Sequence, residues 1–220
     1  MTSSQIQTTI ILTTWGILLA LYTLNKVVAK INFLKAPTVV ELDAAPALRP
    51  GSFLSGAGVL FVFVINIAEI GLVFGCALSP SFENALSVLR LELPLWGHTV
   101  GGVLFVFYSL WGLLVLFYNP NYTPLYKPLR GKYIIVTEGP YRLVRHPRYT
   151  AAALANLVFF LFTGFWLSLL GVIGWAAVYT QARAEEQFLL RLAPQTYGTY
   201  RRRTGMFFPR VYLPAKPRRS

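Results

Sequence analysis

Long apolar runs with almost no charge constrain this fold more than any other feature of the chain. The stretch "LWGHTVGGVLFVFYSLWGLLVLFY" at 95–118 contains no Asp, Glu, Lys or Arg. Two further runs of similar length cover Ile6–Val28 and Phe53–Leu78. A helix needs about 20 mostly apolar residues to cross a bilayer. Two shorter runs, Tyr149–Phe162 and Trp166–Tyr179, flank Gly164 and predict a helical hairpin. We therefore predict an all-α polytopic membrane protein with about five transmembrane helices.

The charges support this interpretation and predict an orientation. Only 13% of the residues are charged, against about 25% in ordinary soluble domains. The net charge of +12 could indicate nucleic-acid binding or basic cytoplasmic loops, and the hydropathy favours the loops. With five spans, Arg90 is the one cation on the side of the N-terminus. The positive-inside rule then predicts an integral, multi-pass protein with its N-terminus outside and its C-terminus in the cytosol.

Several kinds of site and partner are not expected. The single cysteine, Cys76, excludes an intramolecular disulfide, and two histidines are too few for a metal site of the usual kind. The N-terminus carries no positive charge before its apolar run, so we expect a retained span and not a cleaved signal peptide. We expect the lipid bilayer as a partner, no nucleic acid, and no obligate protein partner.

A basic cluster lies directly before the hairpin, in "GPYRLVRHPRY" at 139–149. Pro147 disfavours the α conformation at His146 and suits the first position of a helix. Helix N-termini attract anions, and Arg142, Arg145 and Arg148 add positive charge there. The arginines could be membrane-surface anchors or part of a ligand site.

The few acidic residues allow two interpretations each. Glu185 and Glu186 follow the last apolar run. They could pair with nearby arginines or bind a cationic group of a ligand. Glu69 lies in the middle of the second span, where an ionisable group is costly and should face the bundle interior. It could be functional, or it could form a buried hydrogen bond with Asn66 or a neighbouring span.

Taken in order, the motifs resemble a known family. The series "GPYRLVRHPRYT", a two-span hairpin, "EEQFLL" and "TYGTYRRRTGMFFP" is similar to the isoprenylcysteine carboxyl methyltransferases. Wider relatives of that family include the phospholipid N-methyltransferases of membranes. The resemblance covers roughly Tyr126–Tyr212.

The resemblance implies an integral-membrane methyltransferase that uses S-adenosylmethionine and acts on a small lipophilic membrane-embedded acceptor. The acceptor group, a carboxylate, an amine or a hydroxyl, stays open. The cofactor pocket is expected on the cytosolic side, formed by the 119–148 loop, the hairpin and the C-terminal tail. The implied regions are an N-terminal three-span region, 1–118, and a cofactor-binding region, 119–220.

The resemblance also implies specific residues. The expected cofactor-binding residues are Tyr133, Ile134, Ile135, Val136, Tyr141, His146, Pro147, Arg148, Tyr149 and Glu185. Gln181 occupies the position of an arginine implicated in substrate binding in the prenylcysteine enzymes, and it is a substrate-side candidate with Glu69 and Arg201.

Two alternative functions remain open at this point. One is an NADPH-dependent membrane reductase of the sterol reductase type, in which the arginine-rich loop would bind a phosphate. The other is a non-catalytic membrane protein of the same fold.

Overall fold

A computed structural model describes residues 2–35, 38–42, 53–121 and 131–210, and it is mostly helical. Three helices in this part of the chain are long and apolar enough to cross a membrane. They are α1 (Ser3–Leu24, continued by a π-helical turn over Asn25–Ala29), α2 (Phe53–Leu78) and α4 (Leu95–Tyr118). The bounds of α2 and α4 are those predicted from hydropathy.

The predicted hairpin turns at Gly164. Helix α6 (Pro147–Thr163) ends there because Gly164 adopts a left-handed conformation, with φ of 81°. The returning segment begins as a 3₁₀ helix over Trp166–Gly174 and continues as α7 (Trp175–Leu192). With 17 residues, α6 is about 25 Å long, close to the lower limit for a span. That the hairpin supplies a fourth and a fifth span stays a prediction.

Aromatic side chains and close glycine contacts hold the helices together. The Phe105 ring of α4 stacks on Phe162 of α6, with ring centroids 5.2 Å apart. Beside this pair the two backbones approach so closely that a Cβ on Gly101 would lie 2.2 Å from the Phe162 nitrogen. The α4–α6 contact therefore fixes the position of α6, which carries "HPRY" at its N-terminal end.

Arg90 connects the elements at the other end of the bundle. It lies after helix α3 (Pro80–Ala85) and a 3₁₀ turn over Ser87–Leu89. Its guanidinium donates to Glu83 at 3.0 Å, to Gln7 at 2.9 Å and to the Thr163 carbonyl at 2.8 Å. Arg90, the one cation that the sequence places on the side of the N-terminus, thus connects α1, α3 and the hairpin turn.

A two-stranded sheet connects the segment after α1 to the predicted 119–148 loop. Strand β1 (Thr38–Leu42) pairs antiparallel with β2 (Gly131–Ile135), with Thr38 opposite Ile135. Both strands are rich in β-branched and aromatic residues, which favour a pleated backbone. The sheet joins the segment after α1 to the one that leads into the basic cluster.

The segment after the last helix folds back onto the start of α6. Two short helices, α5 (Pro140–Leu143) and α8 (Pro194–Arg203), flank this contact. The backbone N–H of Arg145 donates to the Gly205 carbonyl at 2.9 Å, and that of His146 donates to the Met206 carbonyl at 3.1 Å. The basic cluster and the arginine-rich tail are therefore held side by side.

Candidate functional site

His146 stands at the entry to α6, between two carboxylates. As predicted from Pro147, its backbone lies outside the α region, with φ of −121° and ψ of 61°. Its ring is buried, with Nδ1 3.7 Å from Glu185 Oε2 and Nε2 3.4 Å from Glu186 Oε1. The non-helical backbone before the proline thus places this ring against Glu185 and Glu186 of α7.

Glu185 is the accessible carboxylate of the pair. Its side chain is 24% exposed, and Tyr149 Oη donates to its Oε1 at 2.5 Å. Gln181 Nε2, one turn earlier on α7, lies 3.4 Å from the same oxygen. The carboxylate is therefore oriented by neighbours and remains partly open to a ligand.

Glu186 is buried and paired with arginines. Arg145 Nε lies 2.7 Å from Glu186 Oε1, and Arg201 Nε lies 3.1 Å from Oε2. Burial by itself would raise the pKa of Glu186, but the hydrogen bonds from His146 and Arg145 and the charge of Arg145 outweigh it and lower the pKa. Arg145 also donates to the carbonyls of Arg201 and Thr204. Glu186 and Arg145 thus join α7 to the tail.

The substrate-side candidates lie in three different surroundings. Gln181 is buried beside Glu185, and its Oε1 has no hydrogen-bond partner among the described residues. Arg201 pairs with Glu186. Glu69 lies near the hairpin turn, where the hydroxyls of Thr163 and Ser168 contact its Oε1 at 2.7 and 2.8 Å. The structure therefore brings Gln181 and Arg201 to the carboxylate pair and leaves Glu69 at the opposite end of the bundle.

The predicted segment Tyr133–Val136 borders the site through its side chains. Burial, together with the negative charge of Glu185, raises the pKa of Tyr133 to about 12. Burial likewise raises the pKa of Tyr141, and the Glu185 charge adds to it. At Ile134 the backbone N–H and C=O both bond the Asn121 side chain, at 2.9 and 2.5 Å. These two backbone groups are therefore already occupied.

Three side chains of the site were missed by sequence reasoning. Asn119 donates to the Tyr141 hydroxyl at 2.6 Å, and the Asn121 side chain hydrogen-bonds both backbone groups of Ile134. The Phe207 ring centroid lies 5.9 Å from that of His146. The two asparagines flank a proline in "NPN", directly after α4, and this short polar sequence was the signal that could have drawn attention to them. Tyr126 and Tyr212, the limits of the predicted resemblance, lie outside the described residues.

A large apolar cavity begins next to the carboxylate pair. It has a volume of about 1070 Å³ and lies between α1, α2, α4, α6 and α7. Arg148 and Tyr149 line it at the N-terminal end of α6. Tyr149 therefore faces the cavity and bonds Glu185 as well. The sequence offered no sign of this cavity.

The carboxylates do not resemble a metal centre. The described residues contain no group of three or more His, Cys, Asp or Glu side chains that could hold a metal ion.

Comparison with known proteins agrees with the motifs. Residues 96–193 match the family model described as phospholipid methyltransferase. No curated protein matches the chain. The matched region begins in α4 and ends after α7, so it contains "RHPRY" and the two glutamates but not the arginine-rich tail. This match confirms the resemblance to the membrane methyltransferases, and it indicates a methyltransferase-type enzyme with membrane-spanning helices.

Proposed function

We propose that this protein uses S-adenosylmethionine to methylate a small lipophilic acceptor within the membrane. One observation carries the proposal: Tyr149 lines the apolar cavity and also donates its hydroxyl to Glu185. A polar region suited to a charged cofactor and an apolar region suited to a lipid therefore meet at one side chain.

The residues around Glu185 fit the groups of this cofactor. The partly open Glu185 carboxylate suits its ammonium, and the unpartnered Gln181 Oε1 offers a further acceptor. His146 and the N-terminus of α6 suit its carboxylate. The tyrosine faces of Tyr133, Tyr141 and Tyr149 suit its sulfonium by cation–π attraction, worth about 0.5–2 kcal/mol. Ile134, Ile135, Val136, Pro147 and Arg148 complete the proposed wall.

When bound, the cofactor would supply a methyl group that is already activated by positive sulfur. The chain's own residues then have to orient the reactants and exclude water. The hydrogen bonds from Tyr149 and Gln181 orient Glu185. The Glu186–Arg145 pair holds the tail against the entry to α6, which closes one side of the pocket.

We also propose a cytosolic position for the pocket and the predicted division into 1–118 and 119–220. The pocket lies at the end of the bundle where the described parts of three segments, 30–52, 119–148 and the C-terminal tail, converge. These three segments carry most of the cations, which supports a cytosolic C-terminus and an external N-terminus. Helix α4 belongs to the 1–118 region but packs against α6 of the 119–220 region, and the family match starts in α4 as well.

Calorimetric titration of the detergent-solubilised protein tests the proposal. We expect saturable binding of S-adenosylhomocysteine and none of NADPH. Glu185→Gln and His146→Ala should each weaken that binding about tenfold or more, because each removes a charge-assisted contact. Glu92→Gln, an exposed glutamate at the other end of the bundle, is the matched control.

Each contrary result has its own meaning. Unchanged affinity in both pocket variants would remove the pocket assignment. Binding of NADPH alone would favour the reductase. A folded protein that binds neither nucleotide would favour the non-catalytic alternative.

A further inference from the structure

Two asparagines form a polar pair inside the apolar bundle. Asn66 of α2 and Asn156 of α6 are both buried, and Asn156 Nδ2 donates to Asn66 Oδ1 at 3.2 Å. On the other side, Trp175 Nε1 of α7 lies 3.3 Å from Asn156 Oδ1. A polar group without a hydrogen-bond partner is costly away from water. The three side chains thus form a hydrogen-bonded series from α7 through α6 to α2.

The indole of Trp175 fixes the orientation of both amides. An indole N–H can only donate, so the atom of Asn156 that faces it must be the oxygen. The NH2 group of Asn156 consequently faces Asn66, where it requires an oxygen as its partner. Exchanging oxygen and nitrogen in either amide would place two donors against each other. The NH2 group of Asn66 therefore points away from Asn156.

That NH2 group faces the large apolar cavity. Asn66 is one of the residues that line the cavity, and 9% of its surface is exposed. Its Nδ2 forms no hydrogen bond with any described residue, and it is not fully enclosed by protein atoms. The two N–H bonds of this buried amide are therefore offered to the occupant of the cavity.

Neighbouring polar groups of the lining already have partners in the protein. Ser109 Oγ accepts from Trp15 Nε1 at 3.2 Å, and Tyr149 Oη donates to Glu185. The contact between Asn66 and Asn156 uses only the oxygen of Asn66. The packing of α2 on α6 thus gives the NH2 group of Asn66 no role, whereas an occupant that accepts a hydrogen bond would give it one.

Helix α6 indicates how far this donor lies from the carboxylate pair. Tyr149, where the polar and apolar regions meet, and Asn156, which bonds Asn66, are seven residues apart on α6. At about 1.5 Å per residue, this separation is about 10 Å along the helix axis. A molecule whose reacting group lies at Tyr149 would therefore present to Asn66 a part of its body about 10 Å farther into the bundle.

We infer that Asn66 is a specificity-determining hydrogen-bond donor, and that the methyl acceptor carries a neutral oxygen, a carbonyl or an ether, about 10 Å from the group that is methylated. This role rests on the proposed function and concerns the body of the acceptor, whichever group is methylated. A purely hydrocarbon body would leave the buried NH2 group without a partner, which disfavours binding. A carbonyl or ether oxygen accepts without donating, so it matches an amide that presents only N–H bonds.

Competition binding to the detergent-solubilised full chain tests the role of Asn66. The probe is ³H-labelled diheptyl ketone, and the competitors are the unlabelled ketone and pentadecane, an alkane of the same chain length. The preference for ketone over alkane should be at least about fivefold greater in wild type than in Asn66→Leu, which keeps the volume and removes the donor. Partitioning into the micelles is the same for both proteins and cancels in this comparison.

Asn156→Leu is the matched variant. It breaks the same hydrogen bond between α2 and α6, but it leaves the Asn66 amide in the cavity wall. Its preference for the ketone should therefore lie closer to that of wild type than to that of Asn66→Leu. An amide that only holds the two helices together predicts the same loss in both variants.

Infrared spectra of the ketone bound to wild type keep the test valid if a variant does not fold. A hydrogen bond from Asn66 weakens the carbonyl bond, so the C=O stretch should lie at lower wavenumber than in protein-free micelles. A stretch at the same wavenumber in both would overturn the donor role.

The outcomes distinguish the role of Asn66 from the function on which it rests. If S-adenosylhomocysteine binds and the ketone preference is the same in wild type and Asn66→Leu, the role of Asn66 is wrong and the proposed function stands. Equal loss in the two asparagine variants would reduce Asn66 to a contact between helices. If the ketone preference depends on Asn66 while S-adenosylhomocysteine does not bind, the cavity is a lipid site with this donor and the proposed function fails.

Discussion

The two adjacent glutamates of α7 have different surroundings because of helix geometry. Successive residues point about 100° apart around a helix. Glu186 consequently faces Arg145 and Arg201, whereas Glu185 faces Tyr149 and the open side of the site. The two interpretations that the sequence allowed, pairing with arginines and contact with a ligand, therefore fall on neighbouring residues.

Replacing Glu186 by Gln should destabilise the protein in a pH-dependent way. The change leaves Arg145 without its buried carboxylate, which costs about 3 kcal/mol in comparable buried pairs. Because folding lowers the pKa of Glu186 from its ordinary 4.5, its stabilising effect is present above pH 4.5 and is lost as the pH falls below that value. Thermal unfolding in detergent should therefore separate variant from wild type at pH 7, and the difference should shrink progressively as the pH falls below 4.5.

Glu92→Gln is the reference for this comparison, because its carboxylate is exposed. A difference between Glu186→Gln and wild type that stayed constant from pH 7 to pH 4 would contradict the pairing as its cause.

At Glu69, counting protons indicates a neutral carboxyl group. The Thr163 hydroxyl lies 2.7 Å from Glu69 Oε1 and 2.8 Å from the Phe159 carbonyl. The Ser168 hydroxyl lies 2.8 Å from Glu69 Oε1 and 2.6 Å from the Phe165 carbonyl. Two hydroxyl protons cannot serve all four contacts, and a proton on Glu69 supplies a missing donor.

Glu69→Gln should therefore be tolerated, because an amide has nearly the shape and the neutrality of a protonated acid. Glu69→Ala should cost about 2 kcal/mol or more, because it removes the carboxyl group that both buried hydroxyls contact and opens a cavity. Detergent melting curves of the two variants measure this difference. Equal loss of stability in both would indicate that the carboxylate is charged and needs its charge.

At the scale of elements, the α4–α6 contact decides where the site stands. Its closest point is Gly101, where any Cβ would clash with the backbone of Phe162. The sequence pattern at Gly97 and Gly101 predicts close packing of small residues. Only the folded chain identifies α6 as the neighbour. A displacement of α6 would move His146, Arg148 and Tyr149 together.

Gly101→Ala should accordingly reduce both stability and cofactor affinity. Overpacking typically costs about 1–3 kcal/mol, and here the clash is with backbone, which cannot change rotamer. Gly71→Ala is the matched control, because its Cβ has open space. Melting temperature and S-adenosylhomocysteine titration of both variants test the idea. Wild-type behaviour of Gly101→Ala would mean that α4 and α6 can separate without consequence.

At the scale of the whole molecule, the ends of the bundle differ in charge. Arg90 lies at one end, held by Glu83 and the hairpin turn, whereas the arginines of the 139–149 segment and of α8 lie at the other. In the orientation that we propose, Arg90 lies on the outer side as an inward-facing structural cation, and this does not contradict the positive-inside rule, which concerns the overall bias of the loops.

Cysteine labelling tests the proposed orientation. The single cysteine, Cys76, is buried, and Cys76→Ala gives an unreactive background. In intact cells, a membrane-impermeant maleimide should label Ser87→Cys, whereas Thr196→Cys should react only after permeabilisation. Both positions are exposed, so access to the reagent and not burial decides the result. Labelling of both from the same side would exclude an odd number of spans between them.

The sequence by itself determined the elements with local causes. Apolar length defined α2 and α4, Gly164 ended α6, and Pro147 placed His146 at a helix entry. The order of motifs indicated a resemblance to the membrane methyltransferases, and the match over 96–193 confirms that resemblance. The 3₁₀ form of Trp166–Gly174, which packs against α2 and α6, was not foreseen.

The tertiary structure alone decided which residues meet. Glu186 pairs with Arg145 at a separation of 41 residues. The Asn121 side chain hydrogen-bonds the Ile134 backbone, 13 residues later, and no local sequence pattern predicts this contact. The cavity has walls from five helices, none of which reveals it separately. Hydrophobicity and backbone preference act on neighbours along the chain, whereas a pocket arises from distant side chains whose positions depend on packing.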